Sequence, residues 1–203
     1  MMRRFDGGKL LIATHNAGKL GEMRGLFAPS GIEVVSAGML ELPEPEETEN
    51  TFVGNARIKA HAAARATGLI ALGDDSGLEV DALGGQPGVN TADWAETPTG
   101  RDFGVAMAKV RHALLAVDAS APWSARFRCT LVLAWPDGHD EVFEGAAEGS
   151  LIWPTRGAEG HGFDPMFVPA GETRTYAEMS YSEKNDISHR ARAIRAMMTR
   201  CFT

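Results

Sequence analysis

Cysteine is scarce: Cys129 and Cys201 are the only two in 203 residues, and they show no framework spacing. A disulfide-stapled secreted scaffold is therefore excluded, and Cys129 sits inside FRCTLVLAW, which reads as a buried strand. Reduced thiols and a cytoplasmic location are expected. No apolar run approaches the ~18 residues of a membrane span. The basic pair in the opening MMRRFDGGKLLIA is followed by too short an apolar stretch for a signal peptide, and Asp6 interrupts it. Positive charge is also in deficit, with Lys plus Arg 20 against Asp plus Glu 27 and a net charge of −7. That balance argues against broad binding to nucleic acid or anionic membrane, though a local basic cluster could still hold a small anion. Internal repeats and low-complexity linkers are missing as well. Hydrophobic residues make up 44% of the chain, which excludes disordered and collagen-like classes. One domain spanning residues 1–203, of two lobes at most, is expected.

The pattern along the chain predicts α/β architecture with a mixed, twisted sheet. KLLIAT and IEVVSA read as short strands, with an amphipathic helix over 20–27 between them. Residues 41–50, ELPEPEETEN, form an acidic, Pro-containing loop. A helix over 51–67 ends at Gly68, a fitting C-cap. LIALG is a strand that runs into DDSG, and a helix follows over 102–115. SARFRCTLVLAW and DEVFEGAAEGSLI are long strands joined by the hairpin signal PDGH. GAEGHGFDPMFVP is loop then short strand, Ser180 and Glu183 can form a capping box, and a final helix covers 188–200. Strands alternate with helices early and pair by hairpin late.

Several stretches could carry chemistry. ATHNAGKL follows a strand and opens a helix, nearly as a P-loop does. Ala13 and Leu20 stand where that motif needs Gly and Ser or Thr, so an ATPase reading is weak. Thr14, His15 and Asn16 still offer donors, Gly18 permits close backbone approach, and Lys19 sits at a helix start, where it opposes the macrodipole unless an anion joins it. A capped turn with a solvated lysine is the plainer alternative. Asp74 and Asp75 end a buried strand, and adjacent residues on an extended chain point to opposite sides. Carboxylates suit Mg²⁺, which binds through a few protein oxygens plus substrate phosphates, and Glu46 and Glu47 are further candidates. DDSG also reads as an Asx-type turn, and the acidic loop as simply solvated. Lys59 falls on the apolar stripe of Phe52, Ala56 and Ala63, where it either snorkels or serves a cleft. His189 and Arg190 open the last helix, whose stripe is Ile187, Ala191, Ile194 and Met198. Cations there are misplaced without an acceptor, unless they form an ordinary basic surface.

Taken in order, ATHNAGKLGE, EET, DDSGLEVDALGGQPGV, GHGFDPMF and EKNDISHRARA resemble the inosine triphosphate pyrophosphatase family across nearly the whole chain. The resemblance implies an elongated α/β structure with a central mixed sheet, a cleft between two lobes and a homodimer. It implies Mg²⁺-dependent hydrolysis of ITP, dITP and XTP to monophosphate and pyrophosphate, which clears deaminated purines from the nucleotide pool. Thr14, His15, Asn16, Ala17, Gly18 and Lys19 would hold the phosphates, with Asn16 and Lys19 central. Glu47, Glu46 and Asp75 would hold the metal, and Asp75 would also activate water. Lys59 would reach the triphosphate, and Ser76 would contact substrate. His161, Gly162, Phe163, Asp164 and Lys184 would line the base and ribose pocket, and His189 and Arg190 would read the 6-oxo edge. HGFD replaces the family's Phe-Gly-Tyr-Asp, so His161 stands for a stacking phenylalanine and Phe163 lacks a tyrosine hydroxyl. Asp93 stands where a basic residue is common, and Gly54 replaces a common glutamate, at an expected cost of about 1 kcal/mol in helix stability. Two other readings use the same residues. One is a related pyrophosphatase for modified pyrimidine or methylated nucleotides, and the other is a nucleotide sensor without turnover.

Overall fold

The computed structural model describes residues 3–6 and 8–202, so Met1, Met2, Gly7 and Thr203 of the expected 1–203 domain lie outside the described residues. The elements are β1 (Lys9–Ile12), α1 (Ala17–Phe27), β2 (Glu33–Ser36), α2 (Phe52–Thr67), β3 (Ala71–Val80), β4 (Glu96–Thr97) and β5 (Gly100–Arg101). They continue with α3 (Phe103–Ala116), β6 (Trp123–Ala134), β7 (Asp140–Leu151), β8 (Phe167–Pro169), α4 (Tyr181–Ile187) and α5 (His189–Cys201). A six-stranded sheet has the order β2-β1-β3-β6-β7-β8, and β4 and β5 form a small separate pair. β1 runs parallel to both β2 and β3, and β7 antiparallel to β8, so the sheet is mixed as the pattern predicted.

The chain divides into two compact units: Met1–Asp75, Cys129–Gly145 and Arg190–Thr203 form the first, Ser76–Arg128 and Ala146–His189 the second. The first unit is layered because its strands alternate. Leu10, Ile12, Leu72, Leu131 and Leu133 join Met23 and Phe27 of α1 and Ala193, Ile194 and Met197 of α5 in one core. Their neighbours Leu11, Ala13, Ala71, Val132 and Ala134 face the other way and pack on Ala56, Ala60, Ala63 and Ala64 of α2. Strand residues one apart take opposite faces, so both sides of the sheet are covered. The second unit has a single core, in which Leu78, Phe127, Leu151 and Phe167 pack with Ala106, Val110 and Leu114 of α3.

Three local expectations need correction. β3 does not stop at the aspartates but continues to Val80, because β6, twelve residues long, lies beside it and extends the ladder. DDSG is thus mid-strand, and the Asx-turn reading falls. The final helix forms as α5 close to its expected bounds, but Ile187 is not on it: Ser188, extended at φ −68 and ψ 157, separates α4 from α5. On α5 the fully buried methionine is Met197, not Met198. By contrast the Ser180–Glu183 capping box forms: Ser180 N–H donates to Glu183 Oε2 at 2.8 Å and Glu183 N–H to Ser180 Oγ at 3.3 Å. Those bonds from Ser180 and an ion pair with Arg174 hold the Glu183 carboxyl down at about 2.

The alanine face of α2 lets that helix lie close on β3, and Gly73 is the contact point. A Cβ there would sit 2.2 Å from Ala56 O and 2.9 Å from Ala60 N, both backbone atoms. Gly73→Ala should therefore overpack the helix–strand seam and cost about 1–3 kcal/mol, read as a lower urea midpoint with an unchanged slope. Wild-type stability in this variant would refute the close approach.

Candidate active site

In the first unit, β1 delivers the chain to the start of α1. Asn16 is the N-cap, its Oδ1 accepting from Lys19 N–H at 3.0 Å, and Thr14 Oγ1 accepts from Asn16 N–H at 3.1 Å. Ala17 and Gly18 form the first turn. His15 is exposed, and its Nε2 bonds Leu42 O at 2.8 Å, tying this loop to the start of the acidic one. Lys19 Nζ donates to Asp74 Oδ1 at 2.6 Å. The lysine at a positive helix end thus has its anion inside the protein.

Asp74 and Asp75 take opposite sides of β3, each with its own cations. Asp74 Oδ2 accepts from Arg190 Nε at 2.8 Å and lies 3.5 Å from the Cys129 thiol. The Arg190 guanidinium also binds Glu22 through a very short contact. Arg190 is 2% exposed, and Glu22 and Asp74 are buried with it. Burial alone would push the Asp74 carboxyl up, but Arg190 and Lys19 outweigh it and hold it well below the usual range. Arg190, opening α5, so finds its acceptors in two buried carboxylates.

Asp75 belongs to a second cluster. Lys59 Nζ donates to Asp75 Oδ1 at 3.2 Å and to Glu47 Oε1 at 3.1 Å. Asn55 Nδ2 lies 3.4 Å from Asp75 Oδ2. Lys59 is 7% exposed, so it does not snorkel. Burial raises the Asp75 carboxyl above its ordinary value; Lys59 and Lys19 pull it down only in part, and Glu47 adds to the rise. Burial would lower Lys59, but Asp75, Glu47 and Asp74 together raise it. Glu46 is exposed and makes no ion pair among the described residues, so only one of the two loop glutamates is brought to Asp75. A cavity of about 60 Å³ lies beside Lys59, between Pro43 and Pro45 of the loop and Ala62, Ala63 and Ala66 of α2. Gly54 also has a local reason: a Cβ would meet the Glu49 side chain at 2.5 Å.

In the second unit, the GHGFD segment folds around Asp164. Its Oδ2 accepts from His161 N–H at 2.8 Å and from Lys184 Nζ at 2.6 Å. Gly160, at φ +75, brings its backbone so near this carboxylate that a Cβ would sit 2.1 Å from Oδ2. Lys184 lies 5.5 Å above the Tyr176 ring. Gly162 and His161 are half-buried, but Phe163 is 1% exposed and packs edge-on against Phe103 at 5.7 Å. Phe163 is thus a core ring beneath the loop. His189 is buried and stacked on Phe127 at 4.8 Å. Ser76, the residue after Asp75, is half-buried, and Asp93 is exposed.

Glu22, Asn55 and Asp74 were not among the expected site residues. The signals were present but faint: Asn55 stands one helical turn before Lys59, and Asp74 follows from Asp75 by alternation. Glu22 lies on α1 beside the buried Met23, and nothing local marks it as inward.

These features define an α/β protein with a buried carboxylate–lysine centre beside a helix start suited to anions. The Ham1 family model matches residues 10–200. The dITP/XTP pyrophosphatase of Ruegeria pomeroyi is 66% identical over 202 residues, covering 100% of this chain and 99% of that protein. That of Rhodospirillum centenum is 54% identical, covering 98% of each. A solved HAM1 protein from Coxiella burnetii superposes with a TM-score of 0.84 at 38% identity, covering 94% of this chain and 96% of that one. The nucleoside-triphosphatase / dITP/XTP pyrophosphatase from Mycobacterium abscessus gives 0.70 at 38% identity, covering 93% and 97%. The chain belongs to the Ham1 family.

Removing Arg190 should expose the cost of its two carboxylates. Arg190→Ala takes from buried Glu22 and Asp74 the guanidinium they share and leaves Asp74 with Lys19, which should destabilise by about 3–5 kcal/mol in urea titrations. The depressed Asp74 contributes stability that is complete above the ordinary aspartate value of 3.8 and is lost as pH falls through its folded value. Without Arg190 that folded value rises, so acid unfolding should begin at higher pH than in wild type. An unshifted acid transition would show that Arg190 does not hold Asp74 ionised.

Proposed function

We propose that this chain hydrolyses non-standard purine nucleoside triphosphates, dITP, ITP and XTP, at the α–β phosphoanhydride to give a nucleoside monophosphate and pyrophosphate. The observation that carries the reading is the Glu47–Lys59–Asp75 cluster, seated in a chain with full-length dITP/XTP pyrophosphatase relatives. Glu47 and Asp75 aim oxygens at a single ammonium, so hard oxygen donors already converge on one point of positive charge. That donor set fits Mg²⁺, with Glu46, exposed on the same loop, as the further candidate ligand. When bound, Mg²⁺ would supply charge neutralisation on the phosphate oxygens.

The remaining roles belong to the chain. Thr14, Asn16 and the α1 N-terminus, with Gly18 free of a Cβ, receive phosphate oxygens. His15 and Ala17 shape that loop. Lys19 and Lys59 exchange carboxylate partners for phosphate oxygens and stabilise the charge that develops on them. Asp75 accepts the proton of the attacking water. The water oxygen forms a bond to phosphorus, the bridging P–O bond breaks, and pyrophosphate leaves. Ser76 contacts the substrate. His161 supplies the stacking face on a loop set by Gly162, Asp164 and Lys184 and backed by Phe163. His189 and Arg190, both buried, read the 6-oxo edge only by leaving their present partners, Phe127 for the histidine and Glu22 and Asp74 for the arginine. A homodimer in the cytoplasm is the setting proposed; Cys129 and Cys201 are buried and form no disulfide, and no helix among the described residues is long and apolar enough to cross a membrane.

Asp75→Asn should remove most turnover at saturating Mg²⁺ while the far-UV spectrum is kept, because the amide neither takes the proton nor adds charge. Near-normal turnover would remove Asp75 from the chemistry. In the same assay with ITP, XTP, ATP and pyrimidine triphosphates, the products should be monophosphate and pyrophosphate, with ITP and XTP preferred. Orthophosphate released directly would return the P-loop-like reading, preference for modified pyrimidines the related-pyrophosphatase reading, and binding without products the sensor reading. His161→Phe should stay active and change KM more than kcat, since stacking is present in both ground and transition states. A lost kcat at fixed KM would give His161 a chemical role.

A further inference from the structure

We infer that Asn55 is a positioning residue for the reaction, fixing which oxygen of Asp75 is available to the cation and the water. The inference rests on the reading of Asp75 as base and metal ligand. Asn55 and Lys59 stand one turn apart on α2, so they share a face. Each bridges the acidic loop to β3. Lys59 spans from Glu47 to Asp75 Oδ1. Asn55 spans from Glu49 to Asp75 Oδ2: its Oδ1 accepts from Glu49 N–H at 3.0 Å, and its Nδ2 lies 3.4 Å from Oδ2.

The amide cannot flip without loss. Asn has one acceptor oxygen and one donor nitrogen, and the backbone N–H of Glu49 can only donate. Oδ1 must therefore face the loop, and Nδ2 must face Asp75. At 3.4 Å the contact is at the outer limit of a hydrogen bond, but Asn55 and Asp75 are both buried, so water cannot readily replace it. The two bridges differ in kind. The Lys59 bridge is ionic and must yield when phosphate and a cation compete for it. The Asn55 bridge is neutral and has no charge to surrender. It can keep the loop and the Asp75 carboxylate in register while Lys59 changes partners, leaving Oδ1 as the working oxygen.

Two substitutions separate holding the loop from orienting Asp75. Asn55→Asp retains an acceptor for Glu49 N–H but turns an anionic oxygen toward Asp75 Oδ2. Asn55→Ala removes both contacts. Each should lower kcat for ITP by about 10–100-fold, the usual cost of losing a group that orients a metal ligand, with KM for ITP changed far less. Mn²⁺ affinity of the metal-free protein, followed by electron paramagnetic resonance without nucleotide, should weaken in Asn55→Ala by about tenfold or more. Thermal unfolding runs alongside, so that rates are compared only where each variant is folded. Wild-type kcat in Asn55→Asp would overturn the inference, since the residue would then only hold the loop. Unchanged Mn²⁺ affinity in folded Asn55→Ala would overturn it as well. Asp75→Asn is the control: if it is active, the reading of Asp75 fails; if it is dead while the Asn55 variants are normal, only this inference fails.

Discussion

Two ionisable neighbours in the middle of a buried strand are the constraint on which the first unit is built. Asp74 and Asp75 are both buried, and an isolated buried carboxylate is costly. The pleat sends them to opposite faces of the sheet. One cluster of cations cannot serve both, so each face brings its own: Lys19 and Arg190 to Asp74, Lys59 to Asp75. Three helices are located by this need. The first turns of α1 and α5 supply Lys19 and Arg190, and the face of α2 supplies Lys59.

The two carboxylates end with opposite character because their partners differ in number and permanence. Asp74 has two close cations, one of them an arginine that is always charged, and is held ionised. Asp75 shares a single close lysine with Glu47, and its carboxyl is raised. Adjacent groups whose environments push them apart in this way divide the labour: Asp74 is held as counter-charge, and Asp75 is the one to which the proposed chemistry falls. The second unit handles its buried charge more simply. Asp164 is satisfied by Lys184 and by the backbone of His161, and this neutral arrangement fixes the loop that carries the histidine. The burial of Phe163 under that loop means the ring at that position works by support rather than by contact through an exposed face.

Much of this was legible in the linear pattern. Short apolar runs marked the strands, and Thr51, Asp102 and Ser180 stood at three expected helix starts that form with side-chain caps. Lys59 stood on an apolar stripe, where snorkelling and an inward place were both open until its burial decided, and the ordered motifs pointed to the family. These features are local: a cap or a stripe is decided by residues a turn or less apart.

The sequence by itself determined the element types, the family and the residue kinds at the site. The tertiary structure decided their partners. β3 runs past the aspartates because β6 lies beside it, which no property of DDSG announces. Glu46 and Glu47 are equivalent in the sequence, yet only Glu47 meets Lys59, because the path of the loop along α2 brings that side chain to the lysine. Glu22 and Arg190 are 168 positions apart and pair only because α1 and α5 cover the same face of the sheet. Charge pairing across such separations depends on where whole elements pack, and packing is a property of the assembled core, not of any one segment.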